Sequence, residues 1–301
     1  MILNFNKTKK TKKINIVLFL NNQRGYKSFL FLKKKSKFNI VKIFLSKKFL
    51  NRSIYKKLEK FSPKIINDPN KNSVFNFIKK KDIDFSLVCG FPYIFNKKLI
   101  NAPNYCTLNL HGGKLPEYRG GSPLNWQIIN NEKYIGISVI KMVSKIDKGP
   151  IISETKFLLK ENYDIKKVHS IVDGLFPKLL FSSIEKIYFN PKIIFKRQNE
   201  KKSNYFKQRT EKDGKIDWKD TAINVFNLTR AITKPYPCAY TFDDKIKKVK
   251  IIKCKIYKKK KFNYFPGKVS IIKDKVFIDC WKGIIQVLKS SRRLKNGEIL
   301  I

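Results

Sequence analysis

Two side-chain types are scarce enough to restrict what this 301-residue chain can do. Histidine occurs twice, at His111 and His169, so a proton relay built on imidazole has two possible seats. Acidic residues number 22 against 67 lysines and arginines, leaving a net charge of +45. The five cysteines are an odd, scattered set with no Cys-x-x-Cys spacing, which argues against a zinc ribbon or a paired redox motif and leaves reduced thiols as the expectation. Neither histidine nor any cysteine has ligand spacing, so no metal site is indicated. Long apolar runs are missing too. The longest candidate, from Ile14 to Leu20, is strand-sized and far short of the roughly 20 residues that cross a bilayer, so no membrane insertion is expected. The lysine-rich residues 7–13 ahead of it lead into no secretory cleavage pattern, and the expected location is the cytoplasm.

So strong a positive charge attracts polyanions and makes behaviour salt-sensitive. It does not name the polyanion. Lysine, asparagine, isoleucine and phenylalanine are abundant and alanine is scarce, as expected where AT-biased coding favours such residues. With 42% hydrophobic residues the chain can bury a full core and divides most naturally into two unequal domains.

Hydrophobic periodicity predicts strands at residues 14–20, 39–45, 85–89, 106–110 and 134–142, alternating with helices near 26–34, 53–60, 73–80, 97–100 and 124–130. Alternation of this kind implies an α/β fold: a Rossmann-like, mostly parallel sheet with helices on both faces. A long helical pattern over 164–188 covers that sheet, and a turn at 145–149 closes the layer. The charged residues 196–210 read as a linker, so a catalytic domain is expected over 1–195 and a second domain over 211–301. Five short alternating strands between Ala239 and Leu288 predict a small, open, OB-like β-barrel there.

The stretch from Asn109 to Pro150 concentrates the chemistry. Asn109 and His111 alternate along a strand and so share a face, and a loop rich in glycine and proline follows, where α/β sheets place reacting groups. His169, set in a helical run, reads as structural. An asparagine, a histidine and an aspartate converging on one loop face can assist an amine in attacking a carbonyl. His111 can move the proton, Asp147 can hold the imidazole's tautomer and favour its charged form, and the Asn109 amide can donate to the oxyanion. Cys89 and Cys106 lie near in sequence but have no second histidine to activate them and read as core.

Asn109-Leu110-His111-Gly112, Gly113-Lys114-Leu115-Pro116-Glu117-Tyr118-Arg119-Gly120 and Ile146-Asp147-Lys148-Gly149 together resemble the signature of the 10-formyltetrahydrofolate-dependent formyltransferases. The likeness continues through Arg209-Thr210, Asp217-Trp218 and Arg230-Ala231 to Pro235-Tyr236-Pro237, nearly the whole chain. It implies that Asn109, His111 and Asp147 are the catalytic trio, with Asp147 raising the histidine's pKa. It further implies that 10-formyltetrahydrofolate is the co-substrate, held between Phe91, Tyr93 and Ile94, Gly113, Lys114, Leu115 and Pro116, and Val143, Ser144, Lys145 and Ile146.

Within that superfamily the acceptor is either a nucleotide-linked amino sugar or initiator methionyl-tRNA. The first turn, Phe19-Leu20-Asn21-Asn22-Gln23-Arg24-Gly25, lacks the Gly-Thr-Pro-x-Phe-Ala pattern of the methionyl-tRNA enzymes, and no Gly-, Arg- and Lys-rich insertion lies between Phe44 and Lys60. Ser122-Pro123-Leu124-Asn125-Trp126 and the Arg230 to Pro237 spacing also resemble the amino-sugar branch, which is the acceptor expected. A basic RNA-binding relative without catalysis, and a hydrolase using the trio with water, are the alternatives from other classes.

Overall fold

The computed structural model describes residues 13–190, 192–195, 197–257 and 265–301; all but the last residue of the 7–13 lysine run, together with Pro191 and Lys196, lie outside them. It is a mixed α/β structure with a mostly parallel central sheet flanked by helices, followed by an antiparallel β domain. In chain order the first part runs β1 (Ile14–Leu20), α1 (Gln23–Lys33), β2 (Phe38–Ser46), α2 (Arg52–Leu58), β3 (Lys64–Ile66), α3 (Asn72–Lys80), β4 (Phe85–Cys89), α4 (Lys97–Ile100) and β5 (Cys106–His111). Then follow β6 (Arg119–Gly120), α5 (Pro123–Ile129), β7 (Tyr134–Lys141), β8 (Ile151–Leu158) and α6 (Ile165–Phe189). Seven strands form one sheet in the order β3-β2-β1-β4-β5-β7-β8. Pairing is parallel from β3 to β5, while β7 lies antiparallel to β5.

Helix starts follow local chemistry. The side chains of Asn22, Asn51 and Asn96 accept from backbone N–H groups at the starts of α1, α2 and α4, and Asp164 does so for Lys167 at the start of α6. The Asn22 cap starts α1 at Gln23, earlier than periodicity places it. Two strands of the seven-stranded sheet escape the periodic reading. β3 is only three residues long, and β8 alternates buried and exposed positions through Ser153-Glu154-Thr155-Lys156, the polar pattern of a strand at the sheet's end. The layer therefore continues past the 145–149 turn instead of ending there.

Contacts divide the chain into two compact units. The first comprises the described residues up to His111, with Ser138–Glu154 and Asp173–Gln198. Its core on one sheet face packs Val17, Phe19, Phe44 and Val88 against Val74 and Ile78, with the Phe19 and Phe44 rings stacked 4.7 Å apart. Each such buried side chain contributes about 1.5–3 kcal/mol. The same cluster takes in Phe91 and Phe95 and has half-buried Tyr93 and Met142 packed against it.

The second unit comprises Gly112–Ile137, Thr155–Val172 and Asn199–Ile301. Here β9 (Tyr205–Phe206) pairs parallel with β6, so the charged stretch expected as a linker carries a short strand. Its hydrogen bonds come from backbone groups, which composition does not register. After α7 (Ala222–Ile232) come β10 (Ala239–Phe242), β11 (Lys248–Tyr257), β12 (Val269–Ile272), β13 (Lys275–Asp279) and β14 (Ile284–Ser290). These five form an antiparallel sheet in the order β10-β11-β14-β13-β12.

Candidate active site

β5 is flanked by β4 and β7, and Asn109 lies across from Val88 on one side and Ile140 on the other. Leu108 and Leu110 are buried on the alternate face, which turns Asn109 and His111 to a common side. Only 5% of His111 is exposed. Its Nδ1 lies 3.4 Å from Oδ2 of Asp147, a carboxylate itself nine-tenths buried. With Nδ1 facing a carboxylate, the tautomer protonated there is favoured, leaving Nε2 as the basic nitrogen.

Asp147 reaches this position from the turn between β7 and β8. Its φ is +52°, in the left-handed region that aspartate tolerates better than most residues. At Gly149 a β-carbon would overlap the carbonyl oxygen of Lys141, so only glycine allows the chain to pass there.

A cavity of about 130 Å³ opens beside the pair. Phe91, Tyr93, Ile94, Asn109, Val143, Ser144, Lys145, Ile146 and Asp147 all line it. Its inner wall is the aromatic end of the core, and its outer rim carries the exposed apolar side chains Ile94 and Ile146. His111 itself is not in this lining, and neither are Gly113, Lys114, Leu115 and Pro116, which belong to the second unit. There Gly113 and Leu115 are buried, Pro116 is half-buried and follows a cis peptide, and exposed Lys114 pairs with Glu117 at 3.0 Å.

His169 hydrogen-bonds Tyr236 Oη at 3.0 Å, and burial pushes the Cys89 and Cys106 thiols up to about 12. Neither thiol is a nucleophile at neutral pH. A larger cavity of about 460 Å³ in the second unit, bordered by Arg230, has no histidine in its lining. Among the described residues, no group of three or more His, Cys, Asp and Glu is placed to hold a metal ion.

Two glutamines, one in each unit, carry no sequence signal. Gln198 donates through Nε2 to the backbone carbonyls of Asp147 at 2.7 Å and Gly149 at 2.6 Å. Gln127 does similar work in the second unit, where it donates to the carbonyls of Gly112 and Gly136 and accepts from the Gly136 N–H.

Comparison with known proteins shows the family. A model of the formyl transferase family matches residues 4–184, and one of the formyl transferase C-terminal domain matches 209–297. The chain belongs to the formyl transferase family. A methionyl-tRNA formyltransferase from Thermodesulfovibrio yellowstonii is 30% identical over 223 residues, 73% of this chain and 70% of that protein. The bifunctional polymyxin resistance protein ArnA of Wigglesworthia glossinidia brevipalpis is 37% identical over 203 residues; these are 65% of this chain but 30% of that relative. Among solved structures, an N-formyltransferase from Helicobacter canadensis, in complex with folinic acid and dTDP-3-aminofucose, has the same fold, with a TM-score of 0.69 at 20% identity. The match covers 91% of this chain and 98% of that one.

Proposed function

We propose that this formyl transferase moves a formyl group from 10-formyltetrahydrofolate to a primary amine, with Asn109, His111 and Asp147 as the catalytic residues. The observation that carries this reading is the buried His111–Asp147 pair at 3.4 Å, with Asn109 and Asp147 lining the same cavity. His111 accepts the proton that the attacking amine loses and returns it to the departing nitrogen. Asp147 fixes the imidazole and balances its charge once protonated. The Asn109 amide donates to the formyl oxygen as negative charge develops there.

The cavity's chemistry fits the donor. A flat, partly polar heterocycle would lie on the aromatic wall of Phe91 and Tyr93, cover exposed Ile94 and Ile146, and meet the backbone groups of the 143–146 turn. The donor supplies the activated one-carbon unit. Folinic acid in the Helicobacter canadensis enzyme and tetrahydrofolic acid in HypX from Aquifex aeolicus, both proteins of this fold, support that choice.

For the acceptor, we propose the methionyl group of charged initiator tRNA. Several methionyl-tRNA formyltransferases are about 30% identical to this chain over about 70% of their own length. A net charge of +45 also suits a polyanionic acceptor. This departs from the amino sugar favoured by the first turn and the short 44–60 segment, features of loops that drift readily. A nucleotide-linked amino sugar is the second reading, supported by those loops and by sugar N-formyltransferases of the same fold. The test offers the purified protein 10-formyltetrahydrofolate with each acceptor: formyl-methionyl-tRNA is expected, and formylation of the sugar alone would reverse the assignment. Tetrahydrofolate release with neither amine would overturn the transferase reading.

A further inference from the structure

The geometry points to Gln198 as a positioning residue for the reaction, one that acts by holding the Asp147 turn in its working conformation. This role rests on the reading of Asp147 as the partner of His111. Gln198 is 9% exposed and arrives from a segment 51 residues beyond Asp147. Its single amide nitrogen has two hydrogens, and they go to two carbonyls of one turn, those of Asp147 and Gly149.

That turn needs outside support. Asp147 sits at positive φ, a conformation that a β-carbon disfavours. One bond within the turn, from the Lys148 N–H to the Lys145 carbonyl, is long, at 3.4 Å. Rotation about the Asp147 backbone would swing its carboxylate away from His111 Nδ1, to which it is already 3.4 Å distant. A donor that grips the 147–148 and 149–150 peptides of the turn blocks that rotation. Because both Nε2 bonds of Gln198 go to backbone carbonyls of the turn, their effect on the imidazole passes through where Asp147 is held.

The test uses the full chain with 10-formyltetrahydrofolate and charged initiator methionyl-tRNA, or a dTDP-linked amino sugar if the wild type prefers it. Gln198→Met keeps the length and removes both donors. Its kcat is expected to fall about 10²-fold, as misplacement of a catalytic group by about 1 Å does. The KM for the folate donor should change less than about 3-fold, because the substitution acts on the transition state. On an Asp147→Asn background the same change should cost less than about 3-fold more, since a residue acting through Asp147 has little left to position.

Wild-type kcat in Gln198→Met, or the full loss repeated on the Asp147→Asn background, would overturn the role. Normal turnover in Asp147→Asn itself would instead remove the reading of the pair, and the positioning role with it. Should Gln198→Met fail to fold, Gln198→Asn carries the same comparison, because its carboxamide stops one carbon short of the turn.

Discussion

His111 ends its strand against a carboxylate supplied by another segment, and each member of the trio has a separable effect. His111→Ala and Asp147→Asn are each expected to lower kcat by at least about 10²-fold, with the KM for 10-formyltetrahydrofolate little changed. Steady-state kinetics check both. Asn109→Ala should lower kcat about 10²–10³-fold, the usual cost of one oxyanion donor. Burial pushes the thiols of Cys89, Cys106, Cys254 and Cys280 up to about 12. At pH 8 they should therefore resist alkylation in the native protein and react once denaturant exposes them, which thiol counting by mass spectrometry will show. The shared face of Asn109 and His111 was legible in sequence because they stand two apart on one strand, whereas Asp147, on a distant turn, was pointed to by the resemblance. Gln198 was not, since its partners are backbone carbonyls, which every residue possesses, and a lone glutamine in a charged stretch has no pattern to stand out from.

The turn between β7 and β8, which carries Asp147, is the element on which the proposed site depends. Gly149→Ala would drive a β-carbon into the Lys141 carbonyl, so the turn must open. The expected result is a kcat loss comparable to that of Asp147→Asn, with a melting temperature a few degrees lower, read by kinetics and by thermal unfolding. The strands that carry the site were plain from periodicity because β1 and β4 are near-continuous apolar runs buried on both faces, while β5 alternates apolar and polar residues. β3, β8 and β9 were not, being short or polar and defined by what they pair with. The sequence pattern thus shows the centre of the sheet best. Its margin, where β8 closes the Asp147 turn, had to come from the structure.

Across the whole molecule, charge is the property most easily misread. A balance of +45 alone would suggest a nucleic-acid binder, yet the buried pair beside an apolar cavity belongs to a group-transfer enzyme. The charge still bears on the acceptor. Turnover of charged tRNA should fall steeply between about 50 and 200 mM salt, where counterion release weakens phosphate contacts, while a small sugar nucleotide should be far less affected. Rates measured with both acceptors over that range separate the two cases. Formyl transfer itself is tested most directly by tetrahydrofolate release from 10-formyltetrahydrofolate in single turnovers, with and without the amine, comparing the wild-type chain with His111→Ala. Amine-dependent release that collapses in the variant is the expected result; equal release by both proteins would contradict it.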